Sequence, residues 1–541
     1  MATTTDTVAV GDFEQQTQKF LEWFTGQPGA TFHKDIKLVD LRDKSAGRGI
    51  IATAPIPADT PLFTIPRSSI LCATTSPLAA KLPSLFNGPA EPTVAEESHS
   101  HTADDDDVPD LVEELDENDD DPMNSQDSWT LLILILIHEY LHGSQSAWFP
   151  YLSVLPNKFD TPMFWTGEEL GELQASALVA KVGKEEADEM IRSKIVRVVK
   201  DHEEAFYPSS SSAYPAEERK KLSEEELLAL GHRMGSAIMA YAFDLAKEDD
   251  EDEDQEEEED GWVEDQLAGQ NDTMGMVPMA DMLNADAVFN AHINHGEGSL
   301  TATSLREIKA GEEILNYYGP LSSAELLRRY GYVTANHARY DVVELGWGLV
   351  EKGLKKMVDG LQGKKKKEAV QWEKVDDLLE DEKEEGEWED SFVLERQSED
   401  PDSEGQVHGE AEFVGWPEEL EEQVKTYLKA VKKVVGSGDR AVAEALGDKT
   451  KKKEILLGAV RSALEEREGQ YATSLEEDEK VLAGIEGGRP TTRREMAVWV
   501  RAGEKRIIRE AREWVKKQEE EVSKESKGQE KEGREAKRRK A

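Results

Sequence analysis

The sequence predicts an α+β protein in which a framework of short strands is interrupted by helices and followed by a helical domain. Short apolar runs broken by Gly and Pro occupy residues 20–75 and 274–318, as expected of strands and turns. Residues 128–245, between these regions, have the periodic apolar spacing of helices. From Ala324 onward the pattern is helical and increasingly charged, which indicates a separate helical domain.

Each predicted element has a local signal. The runs IKLVDL, GIIATA and TPLFTIP predict strands, and WTLLILILIHEYLHG predicts a buried helix. A further helix should begin at a capping box formed by Ser223 and Glu226. SLTATSLREIKAGEEILNYYG returns to strands, and REMAVWVRAGEKRIIREAREWVKKQEEEV predicts the last long helix. The predicted organisation is a flexible N-terminus (1–20), a first domain (21–320) with acidic loops (90–127 and 246–272) around a helical insertion (128–245), a helical domain (321–520) and a basic disordered tail (521–541).

Composition narrows the class of protein. The chain has 541 residues, enough for two or three domains, and 38% of them are apolar. Cys72 is the single cysteine, so the sequence excludes disulfides within the chain and Cys-rich zinc clusters, which fits a reducing compartment. The longest apolar run, TLLILILIHEYL, is too short to span a bilayer, and the start of the sequence does not resemble a secretory signal. We therefore expect a soluble protein with no membrane partner and no metal site.

The charge is strongly negative and unevenly distributed. The formal net charge is −49, with 14 acidic residues and no Lys or Arg between Glu96 and Asp121, and 12 acidic residues among the 13 from Glu248 to Asp260. Such runs repel themselves and predict disordered loops. These acidic runs either serve only to keep the chain solvated or produce an electric field that attracts basic protein partners. The same sign disfavours direct binding of nucleic acid.

Two polar motifs interrupt the apolar framework. KSAGRGIIAT places Gly47, Arg48 and Gly49 before a predicted strand, either as a tight turn or as a close backbone approach to a ligand. MADMLNAD places Asp281 and Asn284 three residues apart inside an apolar run. These two side chains either cap a helix start or hold a ligand in a pocket.

A third motif, KAGEEILNYYGPLSSAELLRRYGYV, carries several aromatic residues. Its predicted strand ends with Asn316 and the tyrosines at 317 and 318, directly before a glycine. Alternation along a strand places neighbouring side chains on opposite faces, so Tyr318 should share a face with Asn316 and not with Tyr317. These tyrosines, like Trp148 in SAWFPYLSVLP and Tyr241 in MAYAF, are either core residues or parts of a site.

In order and spacing, these motifs together resemble the SET-domain protein methyltransferases. The resemblance is strongest to the subgroup that contains Rubisco large-subunit methyltransferase, SET domain-containing protein 6 and the fungal ribosomal lysine methyltransferases. AWFPYLSVLP, MAYAF, VPMADMLN and YYGPLSSAELLRRYGYV carry it. It implies a SET β-fold with a helical insertion, followed by an all-helical substrate-binding domain.

The resemblance also implies roles for particular residues. S-adenosyl-L-methionine is the implied cofactor, with Tyr318 as the catalytic residue. The implied cofactor-binding residues are Gly47, Arg48, Gly49, Tyr241, Asp281, Asn284, Ala285 and Tyr318. The implied substrate-binding residues are Trp148, Asn316, Tyr330 and Tyr332. Ala285 departs from the family pattern, in which histidine is common at this position, so the cofactor should be held there by backbone groups.

The resemblance implies a protein-lysine N-methyltransferase that acts as a monomer on a basic protein. The resemblance to the fungal enzymes implies that this substrate is a protein of the large (60S) ribosomal subunit. The basic sequence KRRK at residues 537–540 favours the nucleus, with the cytoplasm as a second location. The competing hypothesis is a catalytically silent acidic binding protein or chaperone for basic clients. That protein would keep the fold and the acidic runs without a cofactor pocket.

Overall fold

The chain divides into two compact units. The computed structural model describes residues 10–42, 46–86, 127–208, 221–245, 274–361, 370–380, 388–436 and 439–540. Both acidic runs lie outside these residues, so the predicted acidic loops are not described here. The first unit comprises the described residues within 1–159, 183–285 and 289–317, and the second comprises those within 160–182, 286–288 and 318–541.

The strands are short. In chain order they are β1 (Thr31–Phe32), β2 (Ile36–Asp40), β3 (Arg48–Ala52), β4 (Pro61–Pro66), β5 (Leu71–Cys72), β6 (Ala242–Asp244), β7 (Met274–Met276), β8 (Asn284–Ala285), β9 (Ala291–His295), β10 (Ser299–Ser304), β11 (Glu313–Asn316), β12 (Val342–Gly346) and β13 (Ser391–Glu395). In the first unit they form three sheets, with the orders β1-β4-β10-β9, β2-β3-β11-β8 and β5-β7-β6.

The helices occupy both units. In chain order they are α1 (Val10–Thr25), α2 (Leu78–Lys81), α3 (Ser128–His142), α4 (Phe149–Leu152), α5 (Gly167–Gly171), α6 (Lys184–Met190), α7 (Arg197–Asp201), α8 (Glu203–Phe206), α9 (Glu224–Tyr241), α10 (Ser323–Tyr330), α11 (Trp347–Leu361), α12 (Trp372–Leu378), α13 (Glu418–Val435), α14 (Arg440–Ala445), α15 (Lys449–Gly469), α16 (Leu475–Ala483) and α17 (Arg493–Lys540). The capping box predicted at Ser223 and Glu226 is present at the start of α9. Among the described residues, no helix is long and apolar enough to cross a membrane.

The sheet β2-β3-β11-β8 brings distant parts of the chain together. β3 pairs antiparallel with β2 and with β11. β8 pairs parallel with β11, so Asn284 lies opposite Leu315 and Ala285 lies opposite Asn316. This register places two of the sequence motifs, separated by about thirty residues, on adjacent strands.

The N-terminal segment differs from the prediction, because α1 occupies most of the stretch expected to be flexible. Phe20 and Phe24 are fully buried, and Phe13 is nearly so. The helix therefore buries an aromatic face whose burial offsets the cost of ordering the chain. The Phe20 ring also contacts Tyr151 of α4, with ring centroids 6.1 Å apart.

The second unit is mainly helical, and it also contains the antiparallel pair β12 and β13, which the sequence did not predict. Residues 160–182 belong to this unit, although they fall inside the predicted helical insertion. The reason is packing, since Trp165 and Leu173 are buried in one cluster with Leu327 and Met496.

The C-terminal end also differs from the prediction. α17 continues to Lys540, through the segment expected to be a disordered tail. Glu, Lys, Arg and Ala dominate this stretch, and all four have high helix propensity.

Candidate functional site

Asn284 joins three strands through one side chain. Its Nδ2 donates to the backbone oxygen of Arg48 at 3.2 Å and to Oε1 of Glu313 at 2.7 Å. β3, β8 and β11 are therefore tied at one point. Asn284 does not cap a helix: the preceding 3-10 turn, Ala280–Met282, has no side-chain cap.

Gly49 is required by this arrangement, whereas Gly47 is not. A Cβ atom on Gly49 would lie 2.5 Å from Cδ1 of Leu41, 2.9 Å from Nδ2 of Asn284 and 3.0 Å from Oε1 of Glu313. Gly47 has a φ of +66° and open space around it, so its glycine serves the turn. Gly47 therefore fits the tight-turn interpretation of the Gly-Arg-Gly motif, whereas Gly49 is needed for close packing of Leu41, Asn284 and Glu313, and the approach of a ligand stays a prediction.

Asp281, three residues before Asn284, is buried and is held by a tyrosine. The hydroxyl of Tyr151 donates to Oδ2 of Asp281 at 2.7 Å. Met279 begins the turn with a φ of +84° and a ψ of −38°, which is a strained backbone conformation for a residue other than glycine. A buried hydrogen bond and a strained backbone thus fix the direction of the Asp281 carboxyl group.

Burial perturbs the charge of Asp281. It raises the pKa of this carboxyl group to about 7, although the Tyr151 hydroxyl, nearby backbone amides and the Arg48 guanidinium partly offset the increase. Oδ1 is buried and has no hydrogen-bond partner among the described residues. An unmet buried acceptor of this kind costs free energy unless a bound group satisfies it.

Arg48 is a partly buried cation whose side chain is held on three sides. Nε donates to Oγ1 of Thr17 at 2.9 Å, and Nη1 donates to the backbone oxygen of Val154 at 2.8 Å. Its guanidinium lies 3.8 Å from the centroid of the Phe13 ring. Nη2 is buried without a partner among the described residues, and burial lowers the pKa of Arg48 to about 10.

The other predicted residues of the first unit take different positions. Trp148 is buried in the core, and its Nε1 donates to the backbone oxygen of Ser69 at 2.9 Å. Tyr241 ends α9, and it adds to the increase that burial and Asp281 cause in the pKa of Tyr151. Ala285 and Asn316 are both buried and lie opposite each other on β8 and β11.

The Asn290 side chain forms two hydrogen bonds with the backbone of β11. Oδ1 of this buried side chain accepts from the Leu315 amide at 2.9 Å, and its Nδ2 donates to the backbone oxygen of Glu313 at 2.8 Å. Just past the strand, the Tyr317 ring stacks on Phe289, with centroids 4.8 Å apart and planes 12° apart. β11 itself ends at Asn316, two residues earlier than predicted.

In the second unit, three predicted tyrosines form an aromatic cluster. Tyr318 stacks on Tyr330 with ring centroids 4.7 Å apart, and Tyr330 contacts Tyr332 at 6.1 Å. Gly319, with a φ of +97°, turns the chain directly after Tyr318. Burial raises the pKa of Tyr330 to about 12, so this phenol is neutral near pH 7. Tyr317 and Tyr318 have different ring partners, but both lie beyond the end of β11, so the predicted strand alternation does not apply to them.

Sequence reasoning missed three residues that hold the first-unit site. Tyr151 lies inside the quoted AWFPYLSVLP motif, where Trp148 was preferred. Glu313 lies in the quoted KAGEEILNYYG segment without a predicted role, and Asn290 lies outside the quoted motifs. A polar residue inside an apolar run was the available signal for Asn290. Among the described residues, no group of three or more His, Cys, Asp or Glu side chains is placed to hold a metal ion.

Two family matches cover much of the chain. Residues 47–319 match the SET domain, and residues 418–508 match the domain described as Rubisco LSMT substrate-binding. The first match covers just over half of the 541 residues. It contains β3, β8 and β11 and extends to Gly319, directly after Tyr318.

Named relatives align with parts of the chain. Ribosomal lysine N-methyltransferase 4 of Saccharomyces cerevisiae is 30% identical over 338 residues, which are 62% of this chain and 58% of that protein. N-lysine methyltransferase SETD6 of Homo sapiens is 27% identical over 291 residues, which are 53% of this chain and 48% of that protein. The chain thus spans about half to three fifths of the length of these relatives.

Solved structures share the architecture. The SET domain of LSMT bound to lysine and AdoHcy has a TM-score of 0.56 and 17% identity, and the alignment covers 94% of this chain and 93% of that chain. The structure of Rubisco LSMT bound to AdoMet has the same four values. At this identity the likeness concerns the fold, and it confirms the predicted β-fold followed by a mainly helical domain.

Proposed function

The chain belongs to the SET domain family, and from this premise we propose that it is an S-adenosylmethionine-dependent protein-lysine N-methyltransferase. The relatives named above are lysine methyltransferases, which supports this activity. The observation that carries the proposal is the pair of unmet buried polar atoms in the first unit, Nη2 of Arg48 and Oδ1 of Asp281.

These two atoms fit the cofactor in chemical kind. The amino-acid end of S-adenosylmethionine carries a carboxylate, which a guanidinium binds well, and an ammonium, which a carboxylate binds well. Arg48 and Asp281 each affect the pKa of the other, so the two groups lie in one charged neighbourhood. Gly49 and Asn284 shape the sheet edge beside them, and Ala285 offers only backbone groups.

Methyl transfer from a sulfonium to an amine requires that the two reacting groups be aligned, and it requires neither a metal nor a covalent intermediate with the enzyme. When bound, S-adenosylmethionine would supply an electrophilic methyl group, which would form a bond to the neutral amine nitrogen as its bond to sulfur breaks and S-adenosylhomocysteine leaves. We propose that Tyr318 orients the lysine amine through its hydroxyl, while Tyr330 and Tyr332 present ring faces to the cationic groups. The lysine must be neutral to react, and a low-polarity aromatic surface favours that form. Trp148, Tyr241 and Asn316 remain predicted contacts.

For the substrate, we propose a basic protein, and more narrowly one of the large ribosomal subunit. The net charge of −49 favours basic partners, and one relative is named as a ribosomal lysine methyltransferase. We propose that the enzyme acts as a monomer and without direct contact to nucleic acid.

We also propose a nuclear location. The support is the basic sequence KRRK at residues 537–540, at the end of α17. A fluorescent reporter fused to residues 516–541 should accumulate in the nucleus. The matched control changes the four residues of KRRK to Gln and should spread through the cell. A reporter that stays cytoplasmic with the natural sequence contradicts this proposal.

The catalytic assignment is tested by a pair of conservative variants. Tyr318→Phe keeps the ring that stacks on Tyr330 and removes only the hydroxyl. With tritiated cofactor and cell extract or ribosomal protein as methyl acceptor, the rate should fall by roughly tenfold to a thousandfold, as expected for one lost preorganised polar group. Tyr317→Phe, whose ring stacks on Phe289, should change the rate far less.

Two results would contradict the proposal. Full activity of Tyr318→Phe, or equal effects of both variants, would remove Tyr318 from catalysis. Absence of S-adenosylmethionine binding by the natural protein in calorimetry would favour the acidic binding protein instead of the enzyme.

A further inference from the structure

Tyr151 is the most completely enclosed polar residue of the first-unit site. Its side chain has no exposed surface. Phe20 and Trp23 of α1 lie against its ring, at centroid distances of 6.1 and 6.5 Å. The ring projects from α4 and packs against α1, and its hydroxyl donates to Oδ2 of Asp281.

We infer that Tyr151 is a positioning residue for the cofactor: its hydroxyl holds the Asp281 carboxylate so that Oδ1 can accept a hydrogen bond from the ammonium group of S-adenosylmethionine. This inference rests on the proposed function. It extends that proposal by adding Tyr151, which lies in the AWFPYLSVLP motif but was given no role by the family resemblance.

Geometry supports the inference first. A carboxyl group rotates about its bond to Cβ, and a 2.7 Å hydrogen bond to one oxygen fixes the orientation of the other. The strained Met279 turn fixes where the Asp281 side chain starts. If Asp281 served only the fold, burying Oδ1 without a partner would be a net loss of stability. A bound donor removes that loss.

Protonation provides the second argument. Three charged or titratable groups act on Asp281: Tyr151 from α4, Arg48 from β3 and, through Tyr151, Tyr241 from α9. The Tyr151 hydrogen bond lowers the pKa of Asp281 and thereby favours the ionised form that an ammonium group needs. Removing the hydroxyl should raise the pKa of Asp281 above its present value of about 7, so that less carboxylate is present near neutrality.

The test is Tyr151→Phe, with binding of S-adenosylmethionine measured by calorimetry between pH 6.5 and 8.5. We expect about tenfold weaker binding at pH 7, as for one lost charge-assisted hydrogen bond. The loss should shrink toward pH 8.5, where Asp281 ionises even without the hydroxyl. A change in packing alone would weaken binding equally at every pH.

Tyr427→Phe is the matched control. Tyr427 is also fully buried, and its hydroxyl also donates to a carboxylate, Glu351, at 3.2 Å, but it belongs to the second unit. This variant should lose thermal stability to a similar degree and bind the cofactor like the natural protein at every pH. A second variant, Asp281→Asn, should bind weakly and without the pH dependence of the natural protein.

The outcomes separate the two proposals. Cofactor binding by the natural protein together with an unchanged affinity and pH profile in Tyr151→Phe overturns the role of Tyr151 alone. If Tyr151→Phe does not fold, identical pH profiles of the natural protein and Asp281→Asn overturn it instead. No binding by the natural protein overturns the proposed function and this inference together.

Discussion

Gly47 and Gly49 are glycines for different physical reasons, and substitutions at the two positions can distinguish these reasons. Gly49 leaves room for Asn284 and Glu313, whose atoms would lie 2.9 and 3.0 Å from an added Cβ. Gly47 has open space but a φ of +66°, which L-residues rarely adopt. An alanine therefore meets a steric conflict at one position and a backbone conflict at the other.

We predict that Gly49→Ala and Gly47→Ala both destabilise the protein, and that Gly49→Ala weakens cofactor binding more than Gly47→Ala does. The first variant should lose about 1–3 kcal/mol through overpacking. The second should lose about 1–2 kcal/mol through its left-handed backbone. Urea unfolding measures the stability, and calorimetry with S-adenosylmethionine measures the binding. Equal loss of affinity in both variants would contradict the role given to the Asn284 contact.

At the residue scale, the sequence marked the unusual polar side chains of the first unit, but it did not predict the residues to which they are hydrogen-bonded. Asn284 and Asp281 stood out because polar groups interrupted an apolar run. Their partners, Glu313 and Tyr151, are 29 and 130 residues away in the chain. Local patterns contain no information about such pairs, since strand register and helix packing decide them.

At the scale of the element, α3 is an apolar helix that carries two neighbouring histidines, His138 and His142. Residues 132–139 are all buried, including His138 and Glu139. The rings of His138 and His142 lie 4.1 Å apart. Burial lowers the pKa of His138 to about 3 and also lowers the pKa of His142, so both imidazoles are neutral in the folded protein near pH 7.

This helix should make the protein less stable as the pH falls. The pKa of His138 is lower in the folded chain than in the unfolded chain, where it is about 6.5. Its stabilising contribution is therefore complete above pH 6.5 and is lost progressively as the pH falls toward 3. Between pH 7.5 and 5.5, the natural protein should lose about 1.4 kcal/mol more unfolding free energy than His138→Leu does.

Urea unfolding at the two pH values measures this difference, and His292→Gln is the control because His292 is exposed on β9. The comparison between variants is needed because burial raises the pKa values of Asp281 and Glu504 to about 7, which opposes the trend. Identical pH responses of His138→Leu and the natural protein would show that His138 is not buried in its neutral form.

Elements were predicted well where one strong local signal existed. The apolar run of α3 and the capping box of α9 both appear where expected. The first helix was missed because its polar residues are compatible with helix and with disorder alike, and the burial of Phe20 and Phe24 decides between them. The end of α17 was missed because its charged sequence is likewise compatible with both states. The two-stranded pair β12–β13 joins segments about fifty residues apart, which no local signal marks.

At the scale of the whole molecule, charge is the dominant sequence feature. The net charge of −49 produces a long-range negative field, and acidic runs contribute many of those charges. Such a field increases the encounter rate with a basic protein and depends on ionic strength. Chemistry inside a water-excluded site responds less, because buried charges are screened less than exposed ones.

We therefore predict that salt weakens substrate capture without slowing methyl transfer. Raising ionic strength from about 0.05 to 0.3 M should lower kcat/KM for a basic protein substrate by roughly tenfold or more, while kcat changes little. A variant in which the 12 acidic residues of Glu248–Asp260 become Ser or Asn should show a smaller salt effect. The Kd for S-adenosylmethionine, measured in parallel, separates substrate capture from cofactor binding. If the acidic run attracts the substrate, kcat/KM of the natural protein must depend on salt, and this dependence must be smaller in the variant. A kcat/KM that does not depend on salt, or that depends on it equally in both proteins, would therefore show that this run does not attract the substrate.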